Sequence, residues 1–178
     1  MPVQIVFETH STSEDNERGI ATGWLGGRLS AVGRGQAEEL GARRRRDGIQ
    51  VVFSSDLQRA VETAEIAFGA AGVPVMLDWR LRECDYGEWN GIPRARLDAE
   101  RLQHVDEPWP GGESWREAVV RVNGVLDELA AGGWRRVLLI GHVATWWAHE
   151  QRLRGRSLEE LATAPFDWQP GWEYLIPS

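Results

Sequence analysis

Three residues far apart in the sequence each stand near a point where an apolar run gives way to polar residues. His10 closes Val3-Gln4-Ile5-Val6-Phe7-Glu8-Thr9, His142 follows the run from Arg136 to Gly141, and Arg59 comes shortly after Ile49 to Phe53. In open α/β sheets, ligands sit just beyond the carboxyl ends of the strands, so the three side chains are expected at one sheet edge. Two imidazoles and a guanidinium offer planar, directional donors suited to a phosphoryl group. A metal fits less well. The sequence has no HExxH, no Cys cluster and no paired carboxylate motif, and His142 and His149 lack a third ligand at a recognisable spacing. No metal or cofactor is expected. Each residue alone reads as a hydrogen-bonded structural group; together they predict an anion pocket.

The elements that must position these residues follow an α/β alternation. A β-branched run from Val3 forms the first strand. Ser30 is a candidate N-cap for a helix to about Arg46, with Ala37, Leu40 and Gly41 at helical spacing. Arg43 to Arg46 read as its solvated last turn, where cations complement the helix dipole. Ile49 to Phe53 is the second strand, Asp56 or Ser55 can cap a helix from about Leu57 to Phe68, and Val73 to Leu77 is the third strand. This order predicts a parallel sheet. From Asp78 to Pro110 the pattern breaks into a loop-like, aromatic stretch, with a short helix from about Arg94 to His104. Such a long irregular segment is expected to roof the site, with Asp85, Tyr86, Trp89 and Trp109, and Trp24 as another candidate, either lining the space beyond the phosphate or, for the aromatic rings, packing on one another. Trp115 to Leu129 is an amphipathic helix, Arg136 to Ile140 a buried fourth strand, and further helices reach about Leu153 and span Leu158 to Ala162. The tail from Trp168 to Ile176 reads as an edge strand, since Pro170 is awkward in a central one.

The 178 residues suit one domain, 1–178, with 42% hydrophobic and 26% charged residues. A net charge of −7 argues against nonspecific nucleic-acid binding but allows a small anion in a local pocket. The single cysteine, Cys84, fits a reducing cytoplasm, no apolar run is long enough to span a membrane, and no secretion signal precedes the first strand. A nucleotide-binding domain is disfavoured, because neither GxxxxGK[ST] nor GxGxxG follows a predicted strand. The expected partner is a small phosphorylated substrate, and nothing in the sequence sets an oligomeric state.

Several motifs in order resemble the histidine phosphatase, or phosphoglycerate mutase-like, superfamily. His10 with Ser13 and Asn16 resembles its Arg-His-Gly-x-Thr/Ser-x-x-Asn loop, and Thr22-Gly23-Trp24 the stretch that follows. Ser54-Ser55-Asp56-Leu57-Gln58-Arg59-Ala60 is similar to its second arginine motif. Leu81-Arg82-Glu83 with Tyr86-Gly87-Glu88-Trp89-Asn90-Gly91 resembles its acid motif, and Gly111-Gly112-Glu113-Ser114 and Gly141-His142 complete the set. The resemblance implies a three-layer α/β sandwich, a mostly parallel sheet with helices on both faces. It implies that His10 carries the phosphoryl group as a phosphohistidine and that Glu83 is the general acid and base. Arg59 and His142 would hold the spread charge, with Thr9, Asn16, Thr22 and Gly23 as phosphate- or substrate-binding residues.

One position departs from the pattern. The family places arginine before the nucleophile and glycine after it, where this chain has Thr9 and Ser11, with Glu8 one further back. Losing one such donor corresponds to roughly 100- to 1,000-fold in rate, and Glu8 would repel a phosphate if it faced the pocket. Three readings follow: another arginine (Arg18, Arg28 or Arg82) restores the charge with Glu8 as its partner, the substrate is less charged, or the fold is kept as a binding module. The presence of nucleophile, acid, second histidine and one arginine favours a phosphatase. The short roof favours hydrolysis over a mutase reaction.

Overall fold

The computed structural model describes residues 2–177. In chain order it contains β1 (Val3–Thr9), α1 (Glu14–Glu17), β2 (Ile20–Ala21), α2 (Ala31–Arg44), β3 (Val51–Ser54), α3 (Gln58–Phe68) and β4 (Val75–Leu77). These are followed by β5 (Ile92–Pro93), α4 (Arg94–Glu100), α5 (Trp115–Ala131), β6 (Arg136–Gly141), α6 (Val143–Arg154), α7 (Leu158–Thr163) and β7 (Trp172–Ile176). Five strands form one sheet in the order β4-β3-β6-β1-β7. All neighbours are parallel except β7, which pairs antiparallel with β1 at the edge expected for the tail.

The two-residue period of the strands divides the core into two layers. Val6, Val52, Leu138 and Ile140 point to one face, where they meet Leu40 of α2 and Ala60, Ala64 and Phe68 of α3. Ile5, Phe7, Val137 and Leu139 point to the other, against Val122 and Leu126 of α5 and Trp147 of α6. Apolar on both sides, β6 sits near the middle of the sheet, as its composition predicts. The long helix α5 is held at its start by a reciprocal cap between Ser114 and Glu117.

Three differences from the sequence reading bear on the site. The segment 78–110 is not irregular throughout: β5 pairs antiparallel with β2, forming a small ribbon that carries α4. Asp56 does not cap α3; it takes Arg82 through two 2.6 Å contacts, while Ser55 Oγ accepts from Leu57 N. The basic run at the end of α2 is exposed at Arg43, Arg45 and Arg46, as its composition predicts, but Arg44 is an exception. Arg44 is largely buried and bonds Glu8, Asp47 and Glu173, and Arg45 donates to the carbonyls of Ile66 and Ala67.

Strand order accounts for the convergence of the chemistry-bearing residues. β3, β6 and β1 are consecutive in the sheet, and their pairing runs past the last strand residues. Ser55 N donates to Ile140 O at 2.9 Å, and His10 N donates to Gly141 O at 3.0 Å. The residues after each strand therefore emerge side by side.

Candidate active site

His10 leaves the sheet at the end of β1, and the loop after it is pinned from two helices. Ser11 N donates to Thr63 Oγ1 of α3, and Thr12 N to Gln36 Oε1 of α2. Helix α2 approaches closely enough that a Cβ at Gly33 would lie 1.9 Å from the Thr12 carbonyl oxygen. The Ser11 carbonyl lies 2.7 Å from His10 Nδ1. A carbonyl only accepts, so Nδ1 carries the proton and Nε2 keeps a free lone pair. Removal from water, reinforced by the Arg59 charge and more weakly by Arg94, brings the His10 pKa down to about 3, against the opposing pull of the Ser11 carbonyl.

His142 lies beside it, ring centroids 4.9 Å apart. Arg59 Nη2 faces its Nδ1 at 3.4 Å, which leaves the ring proton on Nε2, donated to Ser55 Oγ at 2.9 Å. Burial, Arg59 and His10 hold the His142 pKa well below the ordinary range. Both imidazoles are therefore neutral. Arg59 is almost wholly buried and donates to the Gly23 carbonyl at 2.8 Å. Gly23 takes a left-handed conformation, with φ of 56°, where a Cβ would collide with Asn90 Oδ1. That oxygen accepts from Trp24 N and Tyr86 N, tying the Thr22 loop to the roof.

Glu83 reaches the same cleft from the segment after β4. Its Oε1 accepts from Cys84 N at 2.9 Å and Ala144 N at 3.1 Å, while Oε2 has only a longer contact, 3.3 Å to Val143 N. Oε2 is thus the less engaged oxygen. The Glu83 carbonyl takes the Trp24 indole N–H and Arg121 Nη2, each at 2.7 Å.

Two adjoining compartments share His10, Asn16, Glu83 and Arg94. One adds Thr22, Gly23, Arg59 and Tyr86; the other adds Thr9, His142 and Trp168. His10, Arg59, Glu83, His142, Thr9, Asn16, Thr22 and Gly23 thus line one cleft. Their polar atoms differ in availability. Asn16 Oδ1 accepts from Ser13 N, leaving its amide N–H₂ as donor, and the Thr22 hydroxyl donates to Asp15 Oδ2 at 2.9 Å. Among the described residues, no group of three His, Cys, Asp or Glu side chains gathers as metal ligands would.

Several expectations about the surroundings are corrected. None of Arg18, Arg28 and Arg82 lines the cleft: the first two pair with Glu14 and the third with Asp56. Glu8 faces away from the cleft and bonds Arg43 and Arg44, a burial that raises its pKa against their pull. Of the roof aromatics only Tyr86 lines the cleft. Trp109 is buried and stacked on His104, Trp89 packs on Trp109, and Asp85 Oδ1 closes a turn with Gly87 N and Asn90 Nδ2. Ser55, which bonds His142, and Arg94, which lines the cleft, carry no role in the sequence expectations. The Ser54-Ser55 motif gave a signal for the first; a lone arginine after a proline gives none for the second.

A sequence model of the histidine phosphatase superfamily (branch 1) matches residues 5–168. A 2,3-bisphosphoglycerate-dependent phosphoglycerate mutase of Methylobacterium sp. (strain 4-46) is 33% identical, over 88% of this chain and 83% of its own length. A Hydrogenobacter thermophilus protein provisionally named phosphoserine phosphatase 2 is 31% identical, over 85% of this chain and 79% of its own. The native structure of mycobacterial glucosyl-3-phosphoglycerate phosphatase superimposes with a TM-score of 0.79 at 26% identity, covering 91% of this chain and 84% of that one.

Proposed function

Because the chain belongs to the histidine phosphatase superfamily, we propose that it hydrolyses a small phosphate monoester through a phosphohistidine on His10. One observation carries the reading: a neutral imidazole with its proton fixed on Nδ1 and its Nε2 lone pair free, in a cleft shared with Arg59 and Glu83. Nε2 attacks phosphorus as the ester P–O bond breaks, and Glu83 gives its proton to the leaving oxygen. Glu83 then takes a proton from water, whose oxygen attacks phosphorus as the P–N bond breaks and His10 is restored. Arg59 opposes the charge spread over the equatorial oxygens, where stabilisation counts most. His142 holds Arg59 and Ser55 in place; a direct bond from it to a phosphoryl oxygen requires the 3.4 Å Arg59 contact to give way. Asn16 offers its amide, Thr9 its hydroxyl, and the Thr22-Gly23 turn braces Arg59.

Hydrolysis rather than transfer to a second substrate is supported by the roof, which is a two-strand ribbon and the seven-residue helix α4. The test is phosphate release from a panel including phosphoserine, 3-phosphoglycerate and p-nitrophenyl phosphate, beside His10→Ala. Turnover that disappears in His10→Ala, with an acid-labile phosphoprotein trapped only in the wild type, is the expected result. Turnover that survives the substitution defeats the proposal.

A further inference from the structure

The strand end that carries the nucleophile brings no cation with it, since Thr9 precedes His10 and both neighbouring imidazoles are neutral. A phosphoryl dianion placed beside Glu83 would face the buried guanidinium of Arg59. Other arginines nearby are paired: Arg101, which lines the smaller compartment, with Asp98 of the same compartment, Arg82 with Asp56, and Arg43 and Arg44 with Glu8.

Arg94 differs from all of these. It lines both compartments, in each case together with His10, Asn16 and Glu83. Its charge is felt at the His10 ring. Among the described residues its guanidinium has neither a carboxylate partner nor a hydrogen-bond acceptor. Its backbone is nevertheless fixed. Arg94 N donates to Gly19 O at 2.8 Å, and the preceding Pro93 pairs with Ile20 in the β2–β5 ribbon that leads into Thr22 and Gly23. An unpaired cation on a fixed backbone beside the nucleophile is what an incoming anion would find.

We infer that Arg94 supplies the second cation of the phosphoryl site, so that the charge absent at position 9 is delivered from the start of α4. A guanidinium there meets two oxygens of one phosphoryl group through paired N–H donors, a geometry that lysine does not reproduce. The inference rests on the phosphatase reading above and deepens it.

The experiment uses p-nitrophenyl phosphate, whose leaving group carries no carboxylate or phosphate of its own, and calorimetric binding of inorganic phosphate. Arg94→Ala, Arg94→Lys and the double variant Thr9→Arg/Arg94→Ala are compared with the wild type, with thermal unfolding as the control for folding. Arg94→Ala is expected to lower kcat on p-nitrophenyl phosphate by roughly 100- to 1,000-fold and to weaken phosphate binding at least about tenfold. Lysine recovers part of the loss, and the double variant regains some of it. Unchanged kcat and phosphate affinity in Arg94→Ala overturn the inference. So does a loss confined to substrates with an anionic leaving group, which would make Arg94 a reader of that group. If the wild type binds phosphate but hydrolyses nothing, the phosphatase reading fails alone, and the affinity ratio decides the role of Arg94. If it neither hydrolyses the ester nor binds phosphate at millimolar concentration, both fail.

Discussion

With a pKa brought down to about 3, His10 is unprotonated throughout the neutral range, so as the proposed nucleophile it needs no base to activate it. The acid side of the kcat/KM profile is therefore expected to show no break near 6.5 from His10. A pH–rate series on p-nitrophenyl phosphate between pH 4.5 and 8 checks this, and a limb near 6.5 that disappears in no other variant would contradict it. Stability carries the complementary signature. The folded pKa of His10 lies below the ordinary value of about 6.5, so between the two the unfolded chain binds more protons than the folded one. Stability is full above about 6.5 and falls as the pH drops toward 3. His149 acts in the same direction: burial between Phe7 and Tyr174 lowers it to about 4. The expected result is a urea midpoint that is flat from pH 7 to 8 and declines steadily below about 6.5.

Among the elements, strands and helices with a clear period were legible: β1, β6 and α5 lie where their apolar spacing placed them, to within a few residues. The four-residue α1 and the two-residue strands β2 and β5 are too short to display any period, and only tertiary pairing defines them. At the end of α2 only Arg44 departs from the solvated turn its neighbours form. Arg44 looks like part of a solvated turn because its buried partner, Glu8, lies in a strand far away in the sequence, and charge pairing across such a distance leaves no local trace. The consequence is measurable. Arg44→Ala leaves the buried Glu8 with Arg43 alone, and breaking a buried pair by removing one partner costs about 3 kcal/mol. Chemical denaturation is expected to show that loss with kcat unchanged, since neither residue lines the two compartments that hold His10.

For the molecule as a whole, the site was legible wherever strand order determines it. His10, Arg59 and His142 follow strands that prove to be consecutive, so a parallel α/β reading was enough to bring them together. Glu83 required the motif around it, and Arg94 escaped because the path of the roof follows from no periodicity. The same strand order has a bearing on biosynthesis. β1 is flanked by β6 and β7, both encoded late in the chain, so its apolar Val3-Gln4-Ile5-Val6-Phe7 stretch has no partner while most of the polypeptide is being made. An unpaired apolar strand is a template for intermolecular pairing, and non-local pairing is slow. Newly translated copies crowded on one message are thus at risk of meeting through β1 before β6 and β7 arrive. Soluble yield should therefore rise when expression is slowed or chaperones are supplied, even though the finished protein, with β1 enclosed on both sides, resists that fate.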